Sequence, residues 1–134
     1  MARRSADTRP LSPHIQVWRW HATMASSILH RATGVANYAG MVLIALWLVL
    51  LAAGPEAYAH VETLMNGPAA LLVKAILIGF TFSLIYHLLN GLRHLAWDAG
   101  RGFDPQGSNM RSILIIVLAL AATGAIWTLG GGWN

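Results

Sequence analysis

The chain has 134 residues, 56% of them hydrophobic and 10% charged, whereas a soluble domain is about a quarter charged, so composition alone points to a membrane protein. Its formal charge of +4 comes from scattered basic residues with no stripe interleaved with aromatics, which argues against nucleic acid as a partner. With no cysteine, the chain holds no disulfide, cysteine-ligated iron–sulfur cluster or thiolate zinc site, and any redox centre must use another ligand, for which six histidines are available.

The N-terminal stretch MARRSADTRPLSPHIQVWRW lacks the early apolar run of a signal peptide. Its arginines and serine faintly suggest a transit peptide, but Asp7 and the shortness of the stretch argue against one, so the mature chain is expected to start near Met1. Crossing the hydrocarbon of a bilayer takes ~20 mostly apolar residues. Three segments qualify, over 34–53, 69–89 and 113–129. The expected fold is therefore all-α, a single transmembrane domain over 1–134, with the first two helices extended past the lipid at their inner ends. Two polar connections separate the spans, GPEAYAHVETLMNGP and AGRGFDPQGSNMR, whose Gly, Pro and Asn content predicts turns.

Arginine placement sets the expected orientation. Arg3, Arg4, Arg9, Arg19 and Arg31 precede or open the first span, and Arg93, Arg101 and Arg111 flank the second connection. The first connection instead carries Glu56 and Glu62, with only Lys74 nearby. The positive-inside rule then puts the N-terminus and the second connection in the cytoplasm and the C-terminus outside. Trp18, Trp20 and Trp97 fall at the inner boundary, and Trp47, Trp127 and Trp133 at the outer one, as in interfacial aromatic belts.

Helical spacing collects the polar residues of the spans into stripes, because residues three and four apart share a face. On the first span the stripe is Ser27, His30, Arg31 and Gly34, continued by Asn37 or Tyr38. On the second it is Gly79, Ser83, His87, Asn90, Gly91, His94 and Asp98. The third span carries small and apolar residues with Thr123, Gly124 and Thr128 and nothing ionisable, and reads as scaffold. A polar stripe in lipid must face protein, water or a cofactor. Gly34 and Gly91 would admit a neighbouring helix or a flat ligand.

His87 precedes His94 by seven residues, which at ~1.5 Å per residue puts it ~10 Å deeper on nearly the same face. A charged imidazolium is costly at that depth, so His87 is expected neutral, with a nitrogen free for a metal. A lone membrane histidine can also serve only to hydrogen-bond a neighbouring helix, and boundary arginines such as Arg19 and Arg93 often only snorkel. Lys74, His60, Glu56 and Glu62 read as a solvated outer rim. A small transporter or proton channel would carry buried ionisable groups too, although spread through the membrane depth. A structural anchor without haem would give no reason for His87.

Three motifs, RPLSPH at 9–14, SILHRATG at 27–34 and HLLNGLRHLAWD at 87–98, resemble the cytochrome b-type membrane-anchor subunit of succinate dehydrogenase, respiratory complex II. The likeness runs over the whole chain, and the paired patterns S-x-x-H-R-x-[ST]-G and H-x-x-x-G-x-R-H make it specific. It implies a haem b shared with a second small anchor subunit, each subunit giving one axial histidine, here His87. It also implies that Ser27 and Arg31 bind ubiquinone, and that His30, His94 and Arg31 lie near the haem propionates, with Asp98 placed to orient the His94 ring. Partners implied are the second anchor subunit, an iron–sulfur subunit and a flavoprotein subunit, in a bacterial inner membrane. The chain has no Gly-rich dinucleotide fingerprint and no cysteine cluster, so flavin and iron–sulfur chemistry must lie in those other subunits.

Overall fold

A computed structural model describes residues 12–131; Arg3, Arg4, the first half of the RPLSPH motif with Arg9, and Trp133 lie outside the described residues. A short 3-10 turn at His14–Gln16 leads into four helices, α1 (Ala22–Ala52), α2 (Pro55–Asn66), α3 (Ala70–Asp98) and α4 (Pro105–Leu129). Helices α1, α3 and α4 are long and apolar enough to cross a membrane, and each packs against the other two. This is an all-α membrane architecture with no strand among the described residues.

The first connection differs from its expected turn. Residues 55–66 form a helix, because Pro55 stands at its first position, Glu56 complements the positive end of the helix dipole, and Gly67 ends it. Tyr58, Val61, Leu64 and Met65, three and four apart, bring its apolar side to a groove shared with α1 and α3. The second connection shortens to 99–104, since α4 begins eight residues before the expected span. Asp104 caps it by accepting the Gly107 amide at 2.7 Å, with Pro105 at the first position. Arg111 closes on Asp104 at 3.0 Å and, with the Gly107 amide, holds the Asp104 carboxyl below the usual carboxylate range. Gly102 turns this loop at φ +81°, a conformation side chains disfavour, and its carbonyl accepts both Trp97 Nε1 and Arg111 Nη2.

The helices meet through polar and small residues while Leu, Ile and Val face outward. Such an interior suits lipid, where apolar side chains gain little by hiding from hydrocarbon and polar groups must find one another. On α1 the buried positions are Ser26, Thr33 and Gly40, seven apart; on α3 they are Ser83, Tyr86, Asn90 and Arg93. Tyr86 donates to the Ser26 carbonyl at 2.8 Å, and Ser26 Oγ donates to Asn90 Oδ1 at 3.0 Å. About two turns along, Ser83 Oγ reaches Asn37 Oδ1 at 2.6 Å and the Thr33 carbonyl at 3.1 Å. Asn37 therefore continues the α1 stripe, and Tyr38 is exposed. Helix α4 is more than apolar filler: Thr23 Oγ1 donates to Asn109 at 2.6 Å, and Arg93 donates to Ser112.

Candidate haem and quinone site

Pairing of α1 with α3 brings three histidines together at the end of the bundle that carries the 99–104 loop. The rings of His30 and His87 stack with centroids 4.0 Å apart and planes 16° off parallel. His94 stacks on the other side of the cluster, 4.9 Å from His30 and 20° off parallel. In parallel stacked rings the nitrogen lone pairs point along the planes and do not converge on one point. Among the described residues no three side chains of His, Asp or Glu form a group able to hold a metal ion.

His87 is half-buried, and its ring lies against Gly34, where a Cβ would stand 3.2 Å from His87 Cε1. Its Nδ1 lies 3.1 Å from the His30 carbonyl oxygen and 3.2 Å from Thr33 Oγ1. A carbonyl only accepts, so this contact places the proton on Nδ1 and leaves the Nε2 lone pair free. Fixing one ring nitrogen on a carbonyl is how proteins orient a histidine that ligates metal through the other. The residues present therefore fit a haem that takes one axial ligand from this chain.

Gly34 thus admits the His87 ring itself, while a Cβ at Gly91 would meet nothing within 4 Å. Gly34→Val is expected to displace His87 and lower haem content at near-normal membrane levels of the chain. The ratio of b-type absorbance to subunit, measured on purified membranes, checks this.

His94 Nδ1 lies 2.8 Å from the Asn90 carbonyl of its own helix, so the backbone sets its ring orientation. The Asp98 side chain, expected to orient the His94 ring, is exposed and makes no hydrogen bond or ion pair among the described residues. His30, between the other two rings, keeps a buried Nδ1 with no partner. Such an orphaned group suits a ligand that brings a hydrogen-bonding oxygen.

Ser27 and Arg31 stand four residues apart on α1, half-buried and exposed respectively, and neither side chain forms a hydrogen bond among the described residues. The two adjacent serines divide their roles: Ser26 is buried in the helix contact, leaving Ser27 turned out of it. Sequence reasoning misses Ser26, Tyr86, Thr33 and Ser112. Ser26, Thr33 and Gly40 share a seven-residue spacing that signals an α1 contact face.

Fold and site together define a helical membrane protein with three stacked histidines at one end of its bundle. The family model described as succinate dehydrogenase/fumarate reductase transmembrane subunit matches residues 5–126. The mitochondrial succinate dehydrogenase cytochrome b560 subunit of Sus scrofa is 42% identical over 118 residues, 87% of this chain and 69% of the pig protein. The cytochrome b556 subunit of Paracoccus denitrificans is 40% identical over 116 residues, 87% of each chain. That of Rickettsia prowazekii is 34% identical over 119 residues, 89% of this chain and 90% of the relative. The chain belongs to the succinate dehydrogenase/fumarate reductase transmembrane subunit family, the membrane anchor of complex II, and the transporter alternative is not favoured.

Proposed function

We propose that this subunit holds haem b through His87 Nε2 and offers ubiquinone a polar site at Ser27 and Arg31, as one multi-pass domain with the N-terminus cytoplasmic and the C-terminus periplasmic in a bacterial inner membrane. The single observation that carries the reading is the His87 Nδ1 contact with the His30 carbonyl, which leaves Nε2 available to a metal. The relatives' names, cytochrome b556 and b560, agree with a haem of the b type. One histidine completes half of a bis-histidine coordination, so a second anchor subunit supplies the other ligand. Iron–sulfur and flavoprotein subunits complete the assembly, and succinate is oxidised in the flavoprotein.

When bound, haem supplies a one-electron carrier beside the quinone site. Ser27 Oγ donates a hydrogen bond to one quinone carbonyl and sets its position. The Arg31 guanidinium, a planar cation with forked donors, stabilises the negative charge that grows on a quinone oxygen as electrons arrive. His30 offers its unpartnered Nδ1–H to a haem carboxylate, and His94, whose Nδ1 faces the Asn90 carbonyl, donates through Nε2 when doubly protonated, with Arg31 close in sequence to add charge.

The test compares two activities of the complex purified through this chain. Ser27→Ala is expected to lower ubiquinone reduction by about tenfold, the equivalent of one lost hydrogen bond of ~1.4 kcal/mol. Succinate oxidation with a soluble artificial acceptor should stay at the wild-type rate. Equal loss of both activities would show failed assembly and remove the quinone assignment.

A further inference from the structure

A second polar site lies on another side of α3. Arg93 directly precedes His94 and so points ~100° around the helix from it, into the groove between α3 and α4. A cavity of about 340 Å³ occupies this groove, with Arg93, Trp97, Arg101 and Arg111 at one end and Leu114 and Leu118 further along. Helix α4 starts at the loop, so Leu118 sits ~10 Å deeper in the membrane than Arg111 at ~1.5 Å per residue. The cavity is thus cationic at the boundary and apolar toward the bilayer centre.

The guanidiniums are only partly used by the protein. Arg93 is 6% exposed, donates Nη1 to Ser112 and lies over the Trp97 ring at 4.6 Å, yet its Nε and Nη2 have no partner. Arg111 spends Nη2 on the Gly102 carbonyl and on Asp104, and its buried Nε has no partner. Arg101 is exposed at the same cavity. Asp104 is the acidic group paired here, so positive charge is in excess. Buried guanidinium N–H groups without acceptors are costly, and a phosphate is the acceptor whose geometry they match.

We propose that this groove binds one anionic phospholipid, its headgroup phosphate on Arg93, Arg101 and Arg111 and an acyl chain along Leu114 and Leu118. A neutral quinone gives no use for three cations. A free anion gives none for the apolar extension. A helix of a partner subunit, ~10 Å across, does not fit a slot of about 340 Å³ between two helices of one chain. Basic pockets between membrane helices near the headgroup level recognise anionic lipid in this way.

The assembled complex, purified through this chain and stripped of lipid in detergent, is titrated with phosphatidylglycerol, phosphatidylcholine or inorganic phosphate and read by native mass spectrometry. One phosphatidylglycerol should be retained at least about tenfold more tightly than phosphatidylcholine. Arg93→Gln should weaken it by a similar factor. Leu118→Trp, which fills the apolar part and leaves every arginine in place, should do the same at unchanged succinate oxidation. Equal binding of both lipids, displacement by equimolar inorganic phosphate, or phosphatidylglycerol retention unaltered in both variants would each overturn the proposal.

Discussion

Complexes carrying His87→Ala are expected to lose the succinate-reducible b-type absorbance while the chain still enters the membrane. Alanine removes the one ring whose Nδ1 is committed to the His30 carbonyl and whose Nε2 remains available. His94 does not substitute, because it lies two helical turns along α3 from His87, ~10 Å nearer the loop end of the bundle. Folding should survive, since the α1–α3 contact is carried by Ser26, Tyr86, Asn90 and Ser83, none of which bonds His87. A reduced-minus-oxidised spectrum normalised to subunit content measures the effect. A spectrum equal to wild type in His87→Ala would eliminate the ligand assignment.

The same residues show how much of the fold and site is legible in the sequence. Lipid forces polar groups to gather on the sides of helices that meet, so the spacing of Ser83, His87, Asn90 and His94 is enough to mark the α3 face. Rotation of α1 is harder to read, because Ser26 and Ser27 are adjacent and only Tyr86 and Asn90, on another helix, select Ser26 for burial. The partner of His94 is hidden for a different reason: a backbone carbonyl leaves no mark in a side-chain pattern, whereas Asp98 at the right spacing does. Gly and Pro around 54–68 suggest turns, although Pro55 and Gly67 mark the two ends of a helix. Likewise Asp104 and Pro105 start α4 early enough to bring Asn109 and Ser112 into the bundle contact.

Arg31→Leu is expected to reduce ubiquinone reduction by about 10²-fold, a loss comparable to removing one charged or preorganised donor from a developing oxyanion. The side chain is exposed, lies one helical turn beyond Ser27, and makes no hydrogen bond or ion pair among the described residues. Its removal therefore breaks no contact of the fold, and the cost should appear in quinone chemistry alone. Arg31→Lys keeps the charge but replaces a planar fork with a point donor, so it should recover part of the rate, mainly in kcat if charge acts on the developing anion. Leucine should lower kcat far more than it raises KM, because the neutral quinone before reduction gains little from the cation. Steady-state kinetics at varied quinone concentration, with artificial-acceptor activity as the assembly control, separate these terms. A variant with unchanged kcat and only a raised KM would assign Arg31 to binding of the neutral quinone. A variant with neither parameter changed would place the quinone elsewhere in the complex.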